Sequence, residues 1–425
     1  MSKKNILVFP CGSEIGLEIH RALRYATHVN IIGASSVDDH GKFVYEQYIP
    51  GLPNVDHPEF ITALAEVVRQ NAIDAIFPTM DKVIDRVKQA EAELQCVVIS
   101  SPAETTAICA SKKATYDLLA DDILIPVIYP NAAAVREYPV FCKPDRGYGS
   151  RGAKKIDSRI QLEAYLQEYP ESVIMELLPG AEYTVDCFSN YKGELLFAAP
   201  RERKRIMNGI SVNTATVASP SSAFHDMATR INARLSLRGA WFFQVKENNQ
   251  GELALLEVAS RLGGTSSVHR IQGVNFALLS VFDAFGFEVS VTPNSFQVAV
   301  DRALDNRYKV DIAFDTVYVD LDDTLVVNDK LNLSLISLIY QFIEEKKKII
   351  LLTKHARDIG ETMSRFRIAG LFDEVIHIGK GDHKSDHIRE QNAIFIDDSF
   401  AERNAVLEKL NIPVFAPDAV ESLIK

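Results

Sequence analysis

Cysteine is scarce in this chain of 425 residues and never occurs as a Cys-x-x-Cys pair. The spacing therefore excludes a zinc cluster and a disulfide framework, which both need paired or regularly spaced thiols. Most of the thiols lie in apolar runs, which is typical of buried structural cysteines. The five cysteines are Cys11, Cys96, Cys109, Cys142 and Cys187.

The sequence also lacks a basic excess and a long apolar run. A formal net charge of -11 gives no electrostatic attraction to nucleic acid or to an anionic membrane. The N-terminus passes from two lysines into an apolar run that is too short for a signal peptide or a spanning helix. We therefore expect a soluble, cytoplasmic protein that binds neither nucleic acid nor membranes.

Ordinary globular composition, with 47% hydrophobic and 24% charged residues, is enough for buried cores. The length suggests two or three domains. In the first hundred residues, short apolar strands alternate with helical patterns, which predicts a parallel sheet wrapped by helices. The predicted strands are Asn5–Phe9, Val29–Gly33, Ala72–Pro78 and Cys96–Ser100.

A Gly12-x-x-x-Gly16 turn follows the first strand. Such a turn can hold an anion at a helix N-terminus. It is not the dinucleotide fingerprint, however, and no acidic residue ends the second strand in the expected way. We favour a tight structural turn.

Two lysines introduce the next module. Lys112 lies on a predicted helix, and Lys143 lies in a short apolar strand followed by the glycine-rich loop 147–152, which includes Gly149 and Ser150. Burying a lysine is costly unless it meets an anion, and backbone N–H groups of such a loop can close over phosphates. The alternative is a surface hairpin with a lysine that extends to solvent.

The apolar run Val173–Leu178 contains Glu176, and Glu182 lies just beyond it. Such a segment can give backbone hydrogen bonds to a purine edge, while a nearby carboxylate takes ribose hydroxyls. The basic cluster 201–205, which includes Arg203, is either a solvated face or an anion site.

The stretch from Trp241 to Gly264 reads as a hairpin with a polar turn at residues 248–251. Gln244 and Glu257 lie on its two arms, where paired oxygen ligands would suit a hard cation. Arg261 follows the second strand, and its fork suits a phosphate or carboxylate. The alternative is an ordinary hairpin with polar residues on its wet face.

In type, order and spacing these residues resemble the ATP-grasp superfamily, in the branch near carbamoyl phosphate synthase and the carboxylate–amine ligases. The resemblance covers about the first three hundred residues. It implies a Rossmann-like domain over residues 1–100 and a two-lobed α+β ATP-grasp domain over 101–310. By resemblance, ATP would be held by Lys112, Lys143, Gly149, Ser150, Glu176, Leu178, Glu182 and Arg203. Gln244 and Glu257 would bind Mg²⁺, and Arg261 would contact an acyl phosphate.

One position departs from the family pattern. The Glu-x-Asn motif usually supplies a second ligating side chain, but here that residue is Ala259. Either Ser260, a water or Gln244 completes the coordination, or the site holds fewer magnesium ions. Since Mg²⁺ tolerates retained waters, we expect ATP binding to survive.

Past about Asp311 the strand–helix pattern restarts. Four predicted strands end in polar residues, and the carboxyl ends of strands in open α/β sheets are where ligands bind. Three carboxylates follow the first strand, Thr316–Val319, and need a cation or N–H donors to coexist. The alternative, solvated loops with acidic caps, explains one such strand end easily and four poorly. The intervening helix, Ser334–Ile343, is predicted to bury Leu335, Ile339, Phe342 and Ile343.

This set of motifs resembles the haloacid dehalogenase superfamily over residues 311–425. By resemblance, Asp320 is the nucleophile that forms an aspartyl-phosphate, and Asp322 is the acid/base. Thr353 and Lys384 would hold the phosphoryl oxygens; Lys380 is the rival lysine. The candidate ligands of a second Mg²⁺ site are Asp320, Asp322, Asp397 and Asp398.

No sizeable cap domain fits between these motifs, so the predicted α/β site is open. The resemblances together predict a bifunctional enzyme: a ligase that joins a small carboxylate to an amine through an acyl phosphate, and a phosphatase for a phosphorylated small molecule. Two rivals remain for the first half, an acyl- or carbamoyl-phosphate-forming enzyme and a nucleotide-binding regulatory module, the latter favoured by Ala259. A homodimer is compatible with the sequence, which does not fix the oligomeric state.

Overall fold

The computed structural model describes residues 3–147, 151–207, 209–303, 308 and 310–425. The chain divides into two compact units, Met1–Leu304 and Asp305–Lys425. Within the described residues, every helix is too short or too polar to cross a membrane.

Unit 1 begins with a five-stranded parallel sheet. Its strands are β1 (Lys4–Phe9), β2 (Val29–Ala34), β3 (Gln47–Ile49), β4 (Ala75–Pro78) and β5 (Val97–Val98), and its helices are α1 (Glu14–Leu23), α2 (Phe60–Gln70), α3 (Asp81–Gln89) and α4 (Glu91–Leu94). The order is β3-β2-β1-β4-β5. The four predicted strands are confirmed, whereas β3, a short edge strand without buried residues, was not predicted.

The turn after β1 is a tight structural turn, as predicted. A Cβ on Gly12 would lie 2.1 Å from Asp39 Cγ, and a Cβ on Gly16 would lie 2.4 Å from the carbonyl oxygen of Cys11. Both distances are far below van der Waals contact, so only glycine fits.

A four-stranded antiparallel sheet forms the next lobe. Its elements are α5 (Ala103–Cys109), α6 (Lys112–Leu119), β6 (Ile128–Tyr129), β7 (Val140–Pro144), β8 (Lys154–Ile156), α7 (Arg159–Glu168) and β9 (Ser172–Glu176). The order is β6-β9-β7-β8. Leu162 and Tyr165 of α7 pack against Val140 and Cys142 of β7, which covers one face of this sheet and leaves the other face for the site.

A six-stranded antiparallel sheet completes unit 1. Its elements are β10 (Glu182–Ser189), β11 (Leu195–Met207), β12 (Ile210–Thr216), α8 (Ser222–Arg234), β13 (Gly239–Glu247), β14 (Leu253–Ala259), α9 (Ser267–Ile271), α10 (Phe276–Ala284) and β15 (Ala299–Asp301). The order is β14-β13-β10-β11-β12-β15. Trp241 and Phe243 of β13 are buried with Ile231 of α8. The predicted hairpin of β13 and β14 is confirmed.

Unit 2 is a five-stranded parallel sheet with a small added hairpin. Its strands are β16 (Thr316–Val319), β17 (Val326–Val327), β18 (Lys330–Leu331), β19 (Lys348–Thr353), β20 (Glu374–His377), β21 (Ala393–Ile396) and β22 (Val414–Phe415), and its helices are α11 (Leu333–Glu344), α12 (Ile359–Phe366) and α13 (Phe400–Leu410). The order is β20-β19-β16-β21-β22, while β17 and β18 pair with each other. The parallel strands direct all their carboxyl ends to one edge.

The buried face of α11 differs at one position from the prediction. Leu335, Ile339 and Phe342 are buried as predicted, but Ile343 is 41% exposed and Leu338 is buried instead. In a helix with 3.6 residues per turn, positions 335, 338, 339 and 342 lie on one face. Residue 343 lies beside that face rather than on it.

Candidate functional site

A cavity of about 600 Å³ opens in unit 1. This volume is within the range of about 300–1,000 Å³ that is usual for small-molecule sites. Residues of β7, β10, β11, β13 and β14, and of α3 and α6, contribute to its wall. Of the residues predicted from the sequence, it is lined by Lys112, Lys143, Glu182, Arg203, Gln244, Glu257 and Arg261.

Lys143 lies on β7 and is only 8% exposed. Its Nζ donates to Tyr116 Oη at 2.9 Å and to the carbonyl oxygen of Leu256 at 2.7 Å. Burial lowers the pKa of the Lys143 ammonium to about 8, although the Glu257 carboxylate partly opposes the shift. In the part of the chain that the structure describes, no carboxylate forms an ion pair with this buried cation, and an anionic ligand would stabilise it.

Asp145 fixes Lys112 beside this strand. The Nζ of Lys112 donates to the Asp145 carbonyl oxygen at 3.0 Å. The Asp145 carboxylate accepts from Ser111 Oγ, the N-cap of α6, and from the Lys113 backbone N–H at 2.8 Å. The start of α6 is thus tied to the end of β7, and both lysines lie on the cavity wall.

Arg203 lies on the opposite wall of the cavity and links three other residues by hydrogen bonds. Its Nη1 donates to Glu182 and, at 3.1 Å, to Gln244 Oε1, while Nη2 donates to the Gly209 carbonyl oxygen at 2.8 Å. Arg201, by contrast, is buried against Asp186, with Nε and Oδ2 2.6 Å apart. Of the basic cluster, Arg203 therefore faces the cavity, and the cluster lies inside strand β11.

Gln244 and Glu257 are directly opposed in the β13–β14 ladder. Opposed residues project from the same face of a sheet, so an amide oxygen and a carboxylate share the cavity floor. Ala259 also lines the cavity, whereas Ser260 does not figure among the described lining residues. Few protein oxygens are therefore available to bind a cation beside Gln244 and Glu257, which suits a cation that retains waters.

Arg261 already has a carboxylate partner. Its Nε lies 2.7 Å from Asp81 Oδ1 and its Nη2 lies 3.0 Å from Asp81 Oδ2, and the guanidinium carbon is 5.2 Å from the centre of the Phe242 ring. Asp81 begins α3 of the parallel sheet, so this ion pair joins it to the end of β14. Nη1 also donates to the Leu262 carbonyl oxygen at 3.3 Å, so a substrate anion would use the remaining N–H groups of Nη1 and Nη2 or displace Asp81.

The structure does not bring every predicted residue to the cavity. Glu176 and Leu178 do not occur among its described lining residues. Glu176 Oε1 instead accepts from the Val127 N–H at 2.9 Å, and Leu178 is buried. Gly149 and Ser150 lie outside the described residues. The assignment of Glu176 and Leu178 to adenine contacts, and of Gly149 and Ser150 to phosphate contacts, remains a prediction.

A second polar cluster lies at the carboxyl edge of the unit 2 sheet. Lys384 Nζ is 2.7 Å from Asp320 Oδ1 and 2.6 Å from Asp397 Oδ2. Carboxylate oxygens of Asp320, Asp397 and Asp398 lie within 4.8 Å of one another, a spacing that one metal ion could bridge. Lys380, the rival lysine, is exposed.

Burial and charge alter the acidity of this cluster. Burial raises the pKa of the Asp320 carboxyl to about 6; the Lys384 ammonium opposes the rise and the Asp397 carboxylate adds to it. Burial disfavours the Lys384 charge, but the two carboxylates still raise the pKa of that ammonium. Asp397 also has a raised pKa through burial. The cluster concentrates negative charge that one lysine only partly neutralises.

Thr353 and Asp398 complete the edge. Thr353 ends β19, is fully buried, and its Oγ1 has no hydrogen-bond partner among the described residues. Asp398 is held by Thr324, whose Oγ1 accepts from the Asp398 N–H at 2.8 Å. A buried hydroxyl without a partner is costly, and a ligand oxygen would satisfy it.

Asp322 does not belong to this three-carboxylate group. Both its carboxylate oxygens lie 2.9 Å from His355 Nδ1. The sequence pattern did not single out His355, although it lies two residues beyond Thr353 on the same strand end.

Residues 168–304 match a family model described as ATP-grasp in the biosynthetic pathway with Ter operon. Among curated proteins, none matches the chain in sequence.

Solved structures resemble the chain more broadly. N5-carboxyaminoimidazole synthetase from Staphylococcus aureus, complexed with ADP, has a TM-score of 0.60 and 13% identity, covering 72% of this chain and 83% of that one. Biotin carboxylase from Campylobacter jejuni, as a β-γ-ATP complex, has a TM-score of 0.58 and 16% identity, covering 68% and 72%. L-amino acid ligase from Bacillus licheniformis has a TM-score of 0.56 and 18% identity, covering 67% and 75%.

These likenesses confirm the ATP-grasp resemblance at the level of fold, with a mixed α/β architecture. The likeness of residues 311–425 to the haloacid dehalogenase superfamily stays a prediction.

Proposed function

We propose that this chain, whose first unit has an ATP-grasp fold, is an ATP-dependent ligase that joins a carboxylate to an amine through an acyl phosphate. The observation that carries the proposal is the cavity that Lys112, Lys143 and Arg203 line together with the Gln244–Glu257 pair. The structural neighbours include a protein named as an L-amino acid ligase and one complexed with ADP, which supports this choice.

The cationic side chains account for binding of the nucleotide phosphates. Lys112 contacts them from helix α6, Lys143 from β7 and Arg203 from β11, while Glu182 takes the ribose and the 176–178 segment takes the adenine. Gln244 and Glu257 would hold Mg²⁺, which would supply positive charge to offset the negative charge of the phosphates. Fixed positive groups are the principal catalytic resource for phosphoryl transfer.

The reaction has two balanced steps. A substrate carboxylate oxygen forms a bond to the γ-phosphorus of ATP as the bond to the bridging oxygen breaks, and ADP leaves. The amine nitrogen then forms a bond to the acyl carbon, inorganic phosphate leaves and the amine loses a proton. Arg261 contacts the acyl phosphate through the part of its guanidinium that Asp81 does not occupy.

Substrate-dependent release of ADP tests this function. The full chain would be incubated with ATP, Mg²⁺ and a panel of amino acids and amines, and products would be identified by mass spectrometry. We expect amide formation for at least one pair, and its loss in Glu257→Gln. ATP binding without turnover on any pair would instead favour a regulatory nucleotide-binding module, and acyl phosphate without amide would favour the phosphate-forming alternative.

Nucleotide affinity should fall above neutral pH because of Lys143. Its pKa is lowered to about 8, and a bound phosphate anion would raise it again, so binding takes up a proton once the pH exceeds that value. From pH 7 to pH 9 we expect the ATP dissociation constant to increase about tenfold. Isothermal titration in buffers of different ionisation enthalpy measures both effects. A flat profile in wild type would contradict the assignment, and Lys143→Arg, which stays charged, should remove the dependence.

We further propose that unit 2 is a phosphohydrolase. Asp320 attacks the phosphorus of a phosphomonoester, the bond to the leaving oxygen breaks, and Asp322 gives that oxygen a proton. Water then attacks the aspartyl-phosphate as Asp322 takes its proton, which regenerates the Asp320 carboxylate and releases phosphate. Thr353 and Lys384 bind the phosphoryl oxygens.

The donors at this edge fit Mg²⁺. Asp320, Asp397 and Asp398 offer hard oxygen ligands within 4.8 Å of one another, as a small divalent cation requires. The ion would supply charge to offset repulsion between the nucleophile and the phosphate. Lys384 contributes to the same end, since it contacts both Asp320 and Asp397.

A further inference from the structure

His355 lies beside the carboxyl group that the proposed phosphohydrolase uses as its acid/base. Its Nδ1 is 2.9 Å from both Oδ1 and Oδ2 of Asp322. The His355 side chain is 9% exposed, whereas that of Asp322 is 53% exposed. A buried imidazole thus holds a carboxyl group that reaches into solvent.

The imidazole itself is held on two sides. Its Nε2 is 2.8 Å from Thr362 Oγ1, on α12. The carbonyl oxygen of His355 accepts from His377 Nε2, at the end of β20, at 2.7 Å. Neighbouring elements therefore fix both the ring and the backbone of His355, which gives it the rigidity that a supporting residue needs.

Asp322 depends on this support. Lys384 contacts Asp320 and Asp397, and Thr324 holds Asp398, but the hydrogen bonds that the structure gives the Asp322 carboxylate come from His355. A half-exposed aspartate without a partner samples several rotamers. A small displacement of a proton-transfer group is costly, because transfer needs close, aligned atoms.

We infer that His355 is a positioning residue that aims the Asp322 carboxyl at the leaving-group oxygen of a phosphomonoester. This inference rests on the proposed phosphohydrolase function of unit 2. His355 does not touch the substrate; it acts through Asp322.

The ring can keep this contact in both halves of the reaction. A neutral imidazole has one N–H donor and one nitrogen acceptor, and a threonine hydroxyl can donate or accept. With the proton on Nδ1, the ring donates to an Asp322 oxygen and Nε2 accepts from the Thr362 hydroxyl. This contact leaves the other Asp322 oxygen to carry the proton that goes to the leaving group, and it persists after that proton has left.

Leaving-group dependence of hydrolysis tests this role in the full chain. The probes are aryl phosphates whose phenols range from strongly to weakly acidic, with Mg²⁺ present. Asp322→Asn shows how the rate depends on the leaving group when no acid is present. Proton donation matters most for the poorest leaving groups. His355→Asn puts an amide near the Nδ1 position and His355→Gln near Nε2, so they are a matched pair.

General acid catalysis is worth about 10²- to 10⁴-fold, so in His355→Gln we expect the ratio of kcat/KM for phenyl phosphate to that for 4-nitrophenyl phosphate to fall about tenfold or more. His355→Asn should recover most of this ratio, and Thr362→Val should shift it in the same direction as His355→Gln by less. Because each ratio is taken on one preparation, a partly unfolded variant does not change it.

Equal loss on all phosphates, or an unchanged ratio in His355→Gln, would overturn the positioning role. Failure of the underlying function gives a different result, since hydrolysis by wild type would then be absent or unaffected by Asp320→Asn.

Discussion

Replacing Asp320 with asparagine is expected to lower hydrolysis of phosphomonoesters by the full chain by about 10⁴-fold or more, as loss of a catalytic nucleophile typically does. The amide keeps the size of the side chain but removes the attacking oxygen anion. It also leaves Lys384 paired with Asp397 at 2.6 Å, so the buried ammonium retains a counter-charge and the unit should stay folded. Steady-state release of phosphate from 4-nitrophenyl phosphate measures the loss.

Asp323→Asn is the matched control, three positions along the same strand end. Asp323 is exposed and has a φ of 54°, a conformation that asparagine tolerates. The Asp323→Asn variant should retain wild-type hydrolysis.

Because Asp320 is also a candidate metal ligand, loss of activity in Asp320→Asn does not by itself identify the nucleophile. Acid-quenched wild type should therefore show one phosphoryl group on the peptide that contains Asp320. Hydrolysis in Asp320→Asn that matches wild type would exclude this nucleophile.

The unit 2 cluster could be predicted because a parallel sheet converts chain order into spatial proximity. Asp320, Thr353 and Asp397 each follow or end a buried strand, and these strands lie side by side. Lys384 begins a short 3₁₀ helix, Lys384–Asp386, outside the sheet, so its place depended on the family resemblance. His355 was missed because its contact with Asp322 joins residues beyond the ends of two different strands. The spacing of residues along one strand does not predict such a contact.

Unit 1 was predictable where contacts are local. The turn after Glu247 determines the first pairs of the β13–β14 ladder, but the opposition of Gln244 and Glu257 depends on a register shift between Gln244 and Val245 that the sequence did not predict. The Asp81–Arg261 ion pair spans 180 residues, and no local pattern marks it. Tyr116 and Asp145, which fix the two lysines, were missed for the same reason.

The charged residues of strand β11 illustrate why a run of charges does not by itself predict solvent exposure. The cluster 201–205 is typical of a solvated turn, but Arg201 and Arg203 are compensated by Asp186 and Glu182 on the adjacent strand β10. Cross-strand pairing makes the charges compatible with a buried sheet. Composition alone could not show this, since Asp186 and Glu182 precede their arginine partners by 15 and 21 residues.

Lys143→Met is expected to weaken ATP binding about 100-fold, the upper range for one charged hydrogen-bonding partner of a phosphate in a site shielded from water. The fold should not suffer. Methionine keeps the apolar stem, and Tyr116 Oη still donates to the Leu256 carbonyl oxygen at 2.7 Å, so both groups that Lys143 contacts keep one hydrogen bond. Removing a desolvated ammonium, whose pKa is already lowered to about 8, should leave the melting temperature equal or higher.

Lys155→Met on β8 is the control for this variant. Lys155 belongs to the same small sheet but is 53% exposed and pairs with Asp157 at 2.8 Å on the surface. Its loss should change neither ATP affinity nor stability measurably, since exposed ion pairs contribute little. Titration calorimetry and thermal unfolding with and without ATP distinguish the cases: Lys143→Met should lose the stabilisation by ATP that Lys155→Met keeps. Wild-type ATP affinity in Lys143→Met would mean that the buried lysine serves the fold alone, and the cavity would then need another explanation.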